Sequence, residues 1–212
     1  MKKSLIILLV VVTAISCKNA STDKGQASTE MKMETPAPSK AKGKYAIKSG
    51  ILEYQPSVMG FEARQTTYFD NYGALEANIV SMEIMGTKSE SLTLTRDNYI
   101  YTIDLVNKTG TKVYASPKSS INFEDLTEEA LMDWKLKREG KETVLGKECE
   151  KWYMDNDDLK MKGYYWTWKG VALKVDLDMS ISKMQLEATK IEENANIPAD
   201  RFEIPADVVI KE

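Results

Sequence analysis

Val171-Ala172-Leu173-Lys174-Val175-Asp176-Leu177-Asp178-Met179 places Val, Leu, Val, Leu and Met on one side of an extended chain and Ala, Lys, Asp and Asp on the other. Alternation with period two marks a strand with one buried and one solvated face, the habit of antiparallel sheets. The same period recurs on both sides of this stretch. Gly163–Trp168 gathers Tyr164, Trp166 and Trp168 on one face, and Asn98–Leu105 gathers Tyr99, Tyr101, Ile103 and Leu105. Further strands are predicted over Tyr45–Gln55, Gly60–Phe69, Leu75–Met85, Ser91–Thr95, Thr111–Ala115, Lys141–Val144, Lys147–Met154 and Lys183–Ile191. In Tyr45–Gln55 the apolar face switches near Gly50, which predicts a bulge there.

Asp70-Asn71-Tyr72-Gly73, Arg96-Asp97-Asn98, Asn107-Lys108-Thr109-Gly110, Leu145-Gly146-Lys147 and Lys169-Gly170 carry the turn chemistry of hairpins. Between the strands, Leu126 to Trp134 predicts a short helix. Thr127 stands at its N-cap, and Glu128 and Glu129 lie in the first turn, where the helix dipole favours them. Leu126, Ala130, Leu131 and Trp134 form a narrow apolar stripe suited to covering a sheet. The expected fold is mainly β, of α+β type: one curved antiparallel sheet or incomplete barrel of about eleven strands, with the helix as a short lid.

The front of the chain reads as an address. Lys2 and Lys3 precede Leu5–Ile15, which is apolar except for Thr13. This run is too short to span a bilayer, which takes about 20 residues, and has the form of a secretory signal. It ends in Ala14-Ile15-Ser16-Cys17, which resembles the lipobox of bacterial lipoproteins. That resemblance implies a signal peptide over residues 1–16 and an acylated Cys17 as the first mature residue. Several acyl chains would hold the protein stably to a membrane, at about 0.8 kcal/mol per buried methylene. Residues 18–43 contain no aromatic residue and no Ile, Leu or Val. Such a segment predicts a disordered tether, with an r.m.s. span of about 25–30 Å, ahead of a domain over residues 44–212.

Composition narrows the chemistry. The 212 residues include 29 Lys and Arg, 32 Asp and Glu, and no histidine, for a net charge of −3. Without histidine, Ser-His-Asp and Cys-His catalysis are excluded, and with two cysteines so are the common zinc sites. The mild acidity argues against a nucleic-acid partner. No phosphate loop or nucleophile elbow appears, and no pair of carboxylates is singled out by spacing, so a non-enzymatic protein without cofactor is expected. Asp155-Asn156-Asp157-Asp158 lacks the glycine and glutamate of a calcium loop and reads as a solvated tip. Cys149, the cysteine left if Cys17 is acylated, reads as a small buried hydrophobe.

Tyr68-Phe69-Asp70-Asn71-Tyr72-Gly73, Trp166-Thr167-Trp168-Lys169-Gly170, Glu187-Ala188-Thr189-Lys190-Ile191 and Phe202-Glu203-Ile204-Pro205 resemble an uncharacterised family of envelope lipoproteins with LolA-like domains. At the level of fold this is similar to LolA and LolB, the periplasmic carrier and outer-membrane receptor of lipoproteins. The resemblance implies an incomplete barrel around an apolar cavity. Trp134, Trp152, Tyr164, Trp166 and Trp168 are the candidates to line it, although aromatic residues also fill ordinary cores. Val58 and Met59, at a predicted hairpin tip after Pro56, are candidates to meet a membrane or partner. Lys18-Asn19 lacks the aspartate that marks inner-membrane retention, which favours an outer-membrane anchor facing the periplasm. The expected function is binding of a lipid, lipoprotein acyl chain or other apolar ligand. The alternative is an envelope interaction module with a filled core, in contact with other envelope proteins.

Overall fold

The computed structural model describes residues 43–58, 61–116, 119–180 and 182–211. The chain divides into two units, Met1–Pro38 and Ser39–Glu212, and the described residues belong to the second. The expected signal peptide over residues 1–16, Cys17 and the expected tether up to residue 42 lie outside the described residues, as does Met59.

Among the described residues, thirteen strands form one sheet. They are β1 (Gly50–Tyr54), β2 (Ser57–Val58), β3 (Phe61–Asp70), β4 (Leu75–Ile84), β5 (Thr87–Arg96), β6 (Tyr99–Asp104), β7 (Thr109–Tyr114), β8 (Leu136–Val144), β9 (Lys147–Asn156), β10 (Met161–Trp168), β11 (Val171–Met179), β12 (Ser182–Glu193) and β13 (Val209–Lys211). The spatial order is β13-β7-β6-β5-β4-β3-β1-β12-β11-β10-β9-β8, with β2 between β3 and β12. All pairings are antiparallel except that of β13 with β7. The chain meanders outward from β1 to β7. It then crosses through the helix α1 (Glu128–Trp134) to the far edge, and meanders back from β8 to β12, which pairs with β1. The mainly β expectation holds. The strand over Val171–Met179 has its predicted bounds, and Val171, Leu173, Val175 and Leu177 are buried.

Hairpin turns follow from local chemistry. In Met85-Gly86, Asp97-Asn98, Leu145-Gly146 and Lys169-Gly170 both turn residues take positive φ, the left-handed geometry whose twist matches two antiparallel strands. α1 is capped as predicted: the Thr127 hydroxyl accepts the Ala130 N–H at 3.1 Å.

Four expectations are corrected. Tyr45–Gln55 is not one strand. Residues 43–49 form a strap across the strand ends, tied by Tyr45 N–H to Tyr72 O, Ala46 N–H to Lys169 O and Asn194 N–H to Ser49 O. Tyr45 and Ile47 are buried because the strap inserts them into the core, which mimics a strand's alternation. The bulge falls between Glu53 and Tyr54 against β12, not at Gly50. Gly50 instead marks close packing, since a Cβ there would lie 2.6 Å from the Phe69 ring. The strand predicted from Lys141 begins at Leu136, and β2 and β13 are short strands that periodicity did not signal. Finally, α1 sits beside β8 with no buried residue, so it is not the cover of the sheet. That cover over β4–β6 is the segment from Ile197 to Ile210. Its Phe202, Ile204, Val208 and Ile210 pack on Ala77, Leu92, Leu94 and Ile103.

Phe202 is 5% exposed and closes this second core. Phe202→Ala should lower unfolding stability by about 3–5 kcal/mol. Urea denaturation followed by tryptophan fluorescence measures it, and a loss under about 1 kcal/mol, well below that range, would show that the segment does not close the core.

Candidate functional site

The five aromatic candidates do not converge. Tyr164, Trp166 and Trp168 alternate on β10 and share one face. Trp152 lies opposite Tyr165 in the register of β9 and β10, so it shares the other face. Its indole N–H donates to Thr167 Oγ1 at 3.1 Å, also on that face, and Phe123 from the segment before α1 packs on both Trp152 and Tyr165, with ring centroids 6.3 and 5.3 Å apart. Trp134, the last residue of α1, is half-buried. A single cavity lined by all five is therefore overturned by strand register: the pleat sends them to opposite sides.

On the Trp166 face a mixed ladder of rings and charges forms. Trp166 is 6% exposed, and its indole N–H donates to Glu142 Oε2 at 2.9 Å. Lys151 donates to the same oxygen at 3.2 Å while its ammonium lies over both Tyr164 and Trp166. Lys174 lies over Trp166, paired with Glu187 at 3.0 Å. Lys147 and Lys169 each lie 4.4 Å from the Trp168 centroid and both bond to Glu193. Cation–π contact and ion pairing act together here, so these rings are covered by protein. The lysines and glutamates were missed in the sequence. Their signal was the alternation of Lys147 and Lys151 on β9, across the sheet from the aromatic face of β10.

The ladder shifts its carboxyl groups. Glu142 titrates below the ordinary carboxylate range, chiefly because Trp166 and then Lys151 hydrogen-bond to its charged form. Glu193 is lowered as well, chiefly by the hydrogen bond from Lys147. Elsewhere, Cys149 is fully buried, as expected, and burial pushes its thiol up. Asp155 takes hydrogen bonds from Lys162 and Tyr153, and Asn156 Oδ1 accepts the Leu159 N–H, so the acidic turn is organised by its own residues. Among the described residues no group of three or more His, Cys, Asp and Glu side chains is placed to hold a metal ion, and no helix is long and apolar enough to cross a membrane.

Val58 is placed in the ladder of β2, opposite Phe61 of β3 and Met184 of β12. The β4–β5 turn lies at the same end of the sheet, because Ala63 pairs with Met82. Its Met85 is 96% exposed. Two grooves stand out among the described residues. One of about 490 Å³ is lined by Lys44, Leu75, Glu76, Thr95, Ile100 and Ser116 among others. Glu76 there accepts from Lys44 Nζ at 2.6 Å and from the Tyr45 hydroxyl. Burial, then the Glu76 charge, pushes the Tyr45 phenol well above its usual range. The other groove, of about 280 Å³, includes Lys174, Asp176, Gln185 and Glu187. Neither is lined by the five aromatic candidates.

No protein-family model matches this sequence, and no curated protein does. Among solved structures it is similar to an uncharacterised conserved protein from Thermus thermophilus. The match has 12% identity and a TM-score of 0.52, and covers 78% of this chain and 92% of that one. A structure of PNGF-II matches at 13% identity and a TM-score of 0.42, over 77% of this chain and 30% of that one. The first likeness shows a shared fold. The second is too distant to carry an argument.

The ladder predicts a pH response. Because the folded-state pKa values of Glu142 and Glu193 are depressed, their stabilisation is complete above the unfolded glutamate value of about 4.3 and is lost as pH falls through the folded values. The denaturation midpoint should drop between about pH 5 and pH 3, and less steeply in Glu142→Gln. An equal drop in the variant would show that other carboxylates govern acid stability.

Proposed function

We propose that this chain is a membrane-tethered, non-enzymatic binding module of the bacterial envelope. It is anchored in the outer membrane through acylated Cys17 and faces the periplasm on a LolA/LolB-like incomplete barrel. Support for the anchor is Ala14-Ile15-Ser16-Cys17 after the apolar run. Support for the barrel is one continuous sheet in which two meanders meet at β1. The observation that carries the mode of binding is the filled interior. Tyr45, Leu52, Tyr54, Phe69, Val144, Cys149, Trp166, Val171 and Leu173 pack into one cluster. A module built this way works through its surface, on envelope partners and not on nucleic acid.

A second reading keeps an apolar ligand, a lipid or a lipoprotein acyl chain. It is favoured by the exposed Met85 at the same end of the sheet as Val58. Apolar residues grouped at strand ends suit an acyl or membrane surface.

Labelling with radioactive palmitate tests the anchor: the chain should take up label and sediment with membranes, and Cys17→Ala should lose both. Membrane sedimentation of Cys17→Ala undiminished would sink it. Native mass spectrometry of the purified protein separates the two modes. A bare mass is expected for the surface module, whereas a stoichiometric lipid would establish the second reading.

A further inference from the structure

The two outer edges of the sheet are built from opposite materials. At β8, Lys137, Arg138, Glu139, Lys141 and Glu142 are exposed and the register shifts at Gly140. Charge and a bulge of this kind keep a foreign strand from pairing. The edge formed by β7 and β13 is apolar instead. Of the seven large apolar side chains exposed among the described residues, four lie along it: Val106, Val113, Tyr114 and Val209. Tyr114 is 63% exposed, although its ring also meets Tyr99 edge-on.

The main chain of this edge is open as well. β13 pairs along β7 only as far as Lys211, opposite Thr111, and no strand among the described residues lies outside the two. The Ala115 N–H donates inward to Asn98 O at 2.8 Å. Inward and outward groups alternate along an antiparallel pair, so the N–H and C=O of Lys112 and Tyr114 point away from β6. Tyr114 lies past the end of β13. The Lys112 ammonium does not stand over this gap, because it is turned onto the rings of Tyr99 and Tyr101, at 4.0 and 5.9 Å. Open backbone groups at strand spacing are matched by another extended backbone, whereas an acyl chain would leave them unsatisfied. Charge narrows the occupant further. Residues 106–114 and 207–211 hold three lysines and one aspartate, in a chain of net charge −3. That aspartate, Asp207, is already paired with Lys108 at 3.3 Å. A second copy would bring the same surplus of lysines, and like charges across strands destabilise.

We infer that the β7–β13 edge takes an extended segment of another protein, in which acidic residues alternate with apolar ones. The segment pairs with the backbone of Lys112 and Tyr114, in line with β13. Strand alternation puts Lys112 and Tyr114 on one face and Val113 on the other. The partner's apolar residues therefore cover Val113, and its carboxylates face Lys112. This rests on the surface-binding reading above and names the surface. The two fail separately: a stoichiometric lipid in the native mass would remove that reading, and an edge that ignores a strand peptide would remove this one alone.

The test is amide hydrogen exchange, read by NMR on the full chain in zwitterionic micelles, with and without a capped heptapeptide alternating valine and glutamate. At millimolar peptide the Tyr114 N–H should exchange about fivefold more slowly or better, while residues 137–143 of the guarded edge exchange as before. A heptapeptide alternating valine and lysine should slow Tyr114 distinctly less. Val113→Glu, a change at an exposed site, should remove the effect of the glutamate peptide. Exchange at Tyr114 that the glutamate peptide leaves unmoved, that both peptides slow equally, or that slows in Val113→Glu as in the unaltered chain would overturn the inference. So would protection that rises with protein concentration alone, which would give the edge to a second copy.

Discussion

Five residues, Gly50–Tyr54, hydrogen-bond to both halves of the sheet at once. Their partners are Phe69 to Gln65 of β3 on one side and Glu193 to Ala188 of β12 on the other. Without that strand the two meanders would each expose a long edge, a state that invites aggregation. The seam sets its own requirements. Gly50 must lack a side chain because the Phe69 ring occupies the space, and Leu52 and Tyr54 must point inward to join the core with Phe69. The Tyr54 hydroxyl then donates to the carbonyl of Ala172, tying the seam to β11 at 2.9 Å. The bulge between Glu53 and Tyr54 lets Ile191 and Ala188 both meet this core although they are three residues apart.

How much of this was legible depends on what each signal measures. Period two registers one buried face, so Val171–Met179 could be read to the residue, and Thr127 announced its helix through cap chemistry alone. The strap at 43–49 misled because buried alternate residues look alike whether a segment hydrogen-bonds in a ladder or merely crosses one. β13 was invisible because its three residues gain their strand character only from a partner about a hundred positions earlier. The aromatic candidates are each half-buried or buried, but their assembly was not legible. A strand's pattern gives faces relative to itself, and only register shows that Trp152 and Trp166 part company.

The two halves of the sheet solve the same problem differently. Around β8–β12, rings are covered by lysine side chains whose charges are held by glutamates, so the alkyl stems and ammonium groups act as the cover. Around β4–β6 a returning segment supplies the cover. The far edge is guarded by composition: Lys137 to Thr143 of β8 are all exposed and mostly charged, with Gly140 at a bulge. Such an edge resists pairing with another chain.

The parallel return of β13 onto β7 also has a kinetic side. Val209–Lys211 and Phe202 are made long after β4–β7, yet they complete that half's apolar face and its outer edge. Contacts of such sequence separation form slowly. A chain emerging from a ribosome or a translocation pore therefore carries an uncapped strand and an open apolar face until almost the whole domain has been delivered. In that interval its safety rests on escort or speed, because the finished fold's protection has not yet arrived.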